Sequence, residues 1–179
     1  MSSKPRVMFV GGHETYAQSQ ARRVGVVVAP VDLVRLIGIV PAPMTGGQTQ
    51  VSADKTKLGI VTQLDNGGRQ RIWVDPKTYL PSTIELFNAK GDLEIVSKLA
   101  EPDGVDVSGQ GLRPVMNQKI EITTAAGDAR ITLGLSQLGD GAGRMVPETF
   151  DPAALAKHYR VDTIYDLDAP PKTTGSSNR

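Results

Sequence analysis

Residues 58–99 read LGIVTQLDNGGRQRIWVDPKTYLPSTIELFNAKGDLEIVSKL. Apolar residues recur here at every second position and turn residues interrupt them, which is the pattern of antiparallel strands with one oily and one wet face. Leu58, Ile60, Thr62 and Leu64 lead into Asp65-Asn66-Gly67-Gly68, where Asn and Gly accept the positive φ that a tight hairpin requires. Gln70 to Val74 is the return strand. Ser82 to Phe87 follows, with Ile84 and Leu86 on one side and Glu85 on the other, and turns through Asn88-Ala89-Lys90-Gly91, spaced as a type I turn closed by a left-handed glycine. Leu93, Ile95, Ser97 and Leu99 then run back.

Outward from this block the same grammar continues. Ile120 and Ile122 alternate with Lys119, Glu121 and Thr123, turn through Ala125-Ala126-Gly127-Asp128, and return as Ile131, Leu133 and Leu135 against Arg130 and Thr132. The wet face carries Glu85, Glu94, Lys98, Lys119, Glu121 and Arg130, as expected of a sheet solvated on one side. Helix is scarce. Pro30 to Ile39 has Leu33, Leu36 and Ile37 at helical spacing and Gly38 as a stop, and Asp151-Pro152 forms an N-cap and first turn for Ala153 to His158. Residues 41–57 and 101–114 read as loops, and 169–179 as a disordered tail after a single domain over 1–168.

A sheet with one apolar face needs a cover. Two short helices are a small cover for six or more strands, which leaves two architectures. Either the sheet closes on itself as a sandwich or barrel filled by its own Leu and Ile, or it is curved and partly open, with short helices capping an apolar concavity that has room for a ligand.

The composition excludes several chemistries. The 179 residues contain no cysteine, 20 Lys+Arg against 19 Asp+Glu, and two histidines, His13 and His158. Disulfides, cysteine-held metals and thiol nucleophiles are therefore ruled out, and a histidine-based metal site has too few ligands. A net charge of +1 supplies no attraction for nucleic acid. No stretch approaches the ~18 apolar residues of a transmembrane span, and no export signal is visible. Gly139-Asp140-Gly141-Ala142-Gly143-Arg144 lacks the following helix that a phosphate loop needs, so it reads as a turn. Asp103-Gly104-Val105-Asp106-Val107 has valines where a calcium loop has oxygen ligands. Arg22-Arg23 reads as a solvated strand or turn edge, and Trp73 as a core or edge aromatic. Nothing implies a cofactor.

Within residues 72–99, Asp75-Pro76-Lys77-Thr78 ends a strand, Leu80-Pro81 starts the next, and Ile84, Leu86 and Phe87 run into Asn88 to Gly91. This block resembles the central hairpin of the LolA-like outer-membrane lipoprotein-sorting family. Residues 30–40 resemble the short helix that its members insert, and 145–152 resemble their closing strand. The resemblance implies a mainly β fold: a curved, incompletely closed antiparallel sheet, or half-barrel, with a short helical lid. It also implies non-catalytic binding of an acyl chain or lipoprotein in the periplasm or cell envelope. The cavity lining would be the apolar alternates Ile60, Ile72, Ile84, Leu86, Ile95, Ile120, Ile122, Ile131 and Leu133, with Leu33, Leu36 and Ile37 as lid. The competing function is a protein–protein interaction module, in which a partner chain covers the open sheet edge or the apolar face.

Overall fold

The computed structural model describes residues 5–12, 14–16, 18–25, 28–39, 47–105, 107, 113–136, 139, 146 and 151–170. By contact the chain forms two compact units, one of Val31–Asp140 and one of Met1–Pro30 with Gly141–Arg179.

The Val31–Asp140 unit is built on a seven-stranded antiparallel sheet. Its strands are β2 (Gln48–Val51), β3 (Leu58–Gln63), β4 (Arg69–Val74), β5 (Pro81–Phe87), β6 (Leu93–Gly104), β7 (Val115–Thr124) and β8 (Arg130–Gly134). They lie side by side in chain order, a pure meander, and the sheet does not close: β2 and β8 are its two edges. This is the open architecture of the two that the alternation allowed.

The hairpins use the turn residues in the expected way, with one change. Gly91 and Gly127 adopt φ of +91° and +73°. In the first hairpin only Gly67 is left-handed, at +80°. Asn66 contributes its side chain instead, accepting a hydrogen bond from the Gly68 N–H at 2.9 Å, an Asx turn that needs no positive φ. Pro81 sits where the β4–β5 register shifts between Trp73 and Val74, and such a bulge tolerates a residue without an N–H.

Two loop readings are corrected. Residues 41–57 contain β2, whose Gln48-Thr49-Gln50-Val51 has too little alternation to announce a strand; pairing with β3 holds it. Residues 101–114 lose their first part to β6, which runs to Gly104 opposite Val115. Pro102 hides this extension in the sequence. It faces Asn117 on β7, beyond Lys98, where the pairing of β6 with β5 ends.

Helix α1 (Pro30–Leu36) is shorter than read, and Gly38 ends it with φ +85°. Its C-terminal end is anchored on the sheet: Leu36 is fully buried, and Ser97 Oγ on β6 donates to the Leu36 carbonyl at 2.7 Å.

The other unit pairs β1 (Val7–Val10) with β9 (Thr163–Asp166) in parallel, a contact the sequence did not announce. Phe9 stacks on Tyr165 with ring centroids 5.6 Å apart. Arg22-Arg23 falls in a 3-10 helix, Ala21–Val24, rather than in a strand or turn edge. Helix α2 (Pro152–Tyr159) starts as read, with the Asp151 carboxylate accepting from the Ala153 N–H at 2.9 Å. His13, most of the 139–144 and 145–152 segments, Asp106 and the tail beyond Pro170 lie outside the described residues.

Asp168 ties the two ends of the chain together. Its carboxylate accepts from the Gly12 N–H and from the Thr15 hydroxyl, each at 2.7 Å. These bonds, the Gly12 amide first, hold its pKa below the ordinary 3.8. Asp54, in the β2–β3 turn, is lowered to about 2, chiefly by the Ser52 hydroxyl. A depressed carboxyl stabilises the fold above its unfolded pKa and loses that contribution as pH falls through the folded value. Stability should therefore fall on acidification from about pH 5 to 2. Asp168→Asn should flatten one part of that slope and Asp54→Asn another. Thermal melts across this range check it, and a slope unaltered in both variants would refute it.

Candidate functional site

Residues directly opposite one another on paired strands share a face of the sheet. One row runs Ile60, Ile72, Ile84, Ser97, Ile122, Ile131 from β3 to β8. A second runs Thr62, Gln70, Leu86, Ile95, Thr124, and a third joins Leu99, Ile120 and Leu133. All nine expected lining residues thus lie on one face, and Glu85, Lys98, Glu121 and Arg130 on the other.

Sharing a face does not make them one cavity. Ile72, Ile84, Leu86, Ile95, Ile120 and Ile122 are buried, Ile84, Ile120 and Ile122 almost completely. Ile60, Ile131 and Leu133 are half-buried. The middle of the face is packed core.

A cleft of about 270 Å³ remains at the β3–β5 end, lined by Gly38, Ile60, Ile72, Val74, Tyr79, Pro81 and Ile84. Three of the nine expected residues line it. The other six do not, and neither do Leu33, Leu36 or Ile37; from the α1 region the lining residue is Gly38. Val74 was available to sequence reasoning, because it continues the alternation of Gln70 and Ile72. Pro81 and Tyr79 were not. They reach the cleft only because the β4–β5 connection folds back, with the Asp75 N–H donating to the Leu80 carbonyl at 3.0 Å and the Tyr79 N–H to the Asp75 carbonyl at 2.8 Å.

The walls are stiff. Ile60, Ile72, Val74 and Ile84 are β-branched, with few rotamers, and their backbones belong to the β3–β4–β5 ladder. Among the described residues that line the cleft, none but Tyr79 has a titratable side chain. It offers apolar area and shape, without an acid, base or nucleophile. Among the described residues no three His, Asp or Glu side chains come together as a metal site.

The opposite face carries a neutralised polar cluster. The Arg71 guanidinium lies 4.8 Å from the Trp73 ring and 4.9 Å from that of Phe87. Glu85 accepts from Arg71 Nε and, at 3.0 Å, from Trp73 Nε1. Trp73 is thus a half-buried member of this cross-strand cluster, away from the cleft. A second hollow, of about 640 Å³, lies beside β1 and β9, between Phe9, Gln20, Val24, Ile164, Tyr165 and Pro170. Its walls combine a two-stranded pair, a weaker scaffold than the large sheet, with residues outside the strands.

Among solved structures, the chain is similar to an outer membrane lipoprotein-sorting protein domain from Vibrio parahaemolyticus. The two are 19% identical with a TM-score of 0.42, over 62% of this chain and 46% of that one, so the match spans less than half of the Vibrio chain. No protein-family model matches the sequence, and no curated protein matches it. Among the described residues no helix is long and apolar enough to cross a membrane.

Proposed function

We propose that this protein binds an acyl chain, free or as part of a lipoprotein, non-covalently in the cleft between Ile60, Ile72, Val74, Pro81 and Ile84, and holds or carries it in the cell envelope. One observation carries the reading: a concavity walled by rigid apolar side chains, with no Asp, Glu, Lys, Arg or His among the described residues of its lining. Such a site removes hydrocarbon from water at about 0.8 kcal/mol per methylene and has little to offer a polar ligand. The buried residues Leu86, Ile95, Ile120 and Ile122 are the packed support behind the wall, and Gly38, just past α1, borders the cleft. The envelope location and the carrier role follow the family resemblance of residues 72–99.

The test is direct. Protein purified without detergent is extracted with organic solvent, the extract is examined by mass spectrometry, and the extracted protein is titrated with a fluorescent fatty acid. A chain-bearing lipid in the extract and micromolar binding are expected. Ile60→Glu puts a carboxylate into the cleft at a half-buried position and should weaken binding by about tenfold or more. A probe that fails to bind at about 1 mM, or that binds Ile60→Glu equally well, would refute the proposal.

A further inference from the structure

The dimensions of the cleft bear on which lipid it takes. Its volume of about 270 Å³ is just under the usual ~300–1,000 Å³ range for sites of drug-sized ligands. A cleft of this size suits one small apolar group, not several long chains at once. It cannot readily grow. Along β4 the apolar stretch is only Ile72 to Val74, because Gln70, facing Thr62 across the β3–β4 pair, ends it on one side. On the other side it ends at the β4–β5 connection, where Tyr79 stands. The α1 end is pinned as well: Ser97 holds Leu36, and Leu99 lies close against Gly38.

Tyr79 is the unusual member of the lining. It is 76% exposed, the most exposed large apolar side chain among the described residues, and yet it borders the cleft. Its backbone is left-handed, with φ +58°, a conformation that bulky residues avoid and Asn or Gly tolerates. The turn itself does not call for a tyrosine, since its hydrogen bonds run from the backbone and from Asp75, whose Oδ1 accepts from the Lys77 N–H at 2.7 Å. A costly backbone that presents an aromatic ring at the rim of an apolar cleft points to a use for the ring.

We infer that the cleft takes one short unbranched hydrocarbon chain, a single-chain amphiphile rather than a multi-chain lipid anchor, and that Tyr79 is the rim residue that closes over it. This rests on the acyl-binding reading above and narrows it. The chain lies over Ile72 and Val74 between Ile60 and Ile84. The Tyr79 ring covers the methylenes at the mouth, and its hydroxyl stays in water beside the polar head, the amphipathic arrangement for which tyrosine is suited.

The experiment is a competition assay on the full chain with a fluorescent fatty acid as reporter and decanoate or a triacylated lipopeptide as competitor. Decanoate should displace the reporter at a concentration about tenfold or more below that of the lipopeptide. Tyr79→Asn should weaken decanoate about tenfold while raising the melting temperature by a few degrees, because Asn accepts the left-handed backbone. Tyr79→Phe should keep decanoate affinity within about twofold. Equal or stronger displacement by the lipopeptide, or unchanged decanoate affinity in Tyr79→Asn, would overturn the inference and leave acyl binding standing. A reporter that does not bind at all removes both readings together.

Discussion

Gly68→Ala is expected to destabilise the protein by about 3 kcal/mol or more, against about 1 kcal/mol for Gly67→Ala. The order is the reverse of what backbone angles suggest, since Gly67 is the left-handed residue of the turn, at φ +80°. A methyl group on Gly67 meets only the Ala89 Cβ, at an ordinary 3.5 Å, so the cost there is the strained conformation alone. A methyl group on Gly68 lands 2.4 Å from the Phe87 carbonyl oxygen. That oxygen is backbone on the neighbouring strand and has no rotamer to escape into. The start of β4 has to move away from β5, at the place where Arg69 pairs with Phe87. Urea unfolding followed by Trp73 fluorescence measures both variants. Similar midpoints would show that the strands part more easily here than the close approach implies.

The attachment of α1 to the sheet is the second sensitive point. Leu36→Ala removes a fully buried side chain and is expected to cost about 2–5 kcal/mol through lost burial and the cavity left behind. Ser97→Ala leaves the buried Leu36 carbonyl without its 2.7 Å hydroxyl donor, at about 1–3 kcal/mol. Both changes loosen the same contact, so the double variant should cost less than the sum of the two by about 0.5 kcal/mol or more. Loosening should also expose the apolar face and increase the fluorescence of anilinonaphthalene sulfonate at temperatures well below the melting transition. Strict additivity without added dye binding would mean that the hydroxyl and the leucine act independently, and that the helix is held elsewhere.

The candidate site was less legible than the fold. Period-two alternation put Ile60, Ile72 and Ile84 on the correct face, and all three line the cleft. The same alternation selected Leu86, Ile95, Ile120 and Ile122, which are core. Periodicity reports the face to which a side chain points and says nothing of how far the opposite layer approaches it. Tyr79 carries the reverse lesson, because no pattern marks a tyrosine in an Asp-Pro-Lys-Thr-Tyr turn as a wall of anything. Its place depends on a left-handed backbone and on the hydrogen bond of its N–H to the Asp75 carbonyl, neither of which side-chain alternation encodes.

From the sequence alone came the strand positions of the β3–β8 meander, the glycine-closed turns, the two helices, and the division into an oily and a wet face. Each of these is set by neighbours a few residues apart, through side-chain alternation, φ preference and capping. Tertiary structure alone decided that polar β2 joins the sheet, that β6 continues past Pro102, and that β1 finds β9 at the far end of the chain. It also decided that a hollow lies at the β3–β5 margin of the apolar face. These outcomes turn on long-range pairing and on how closely packed layers meet, and local residue patterns carry little of that information.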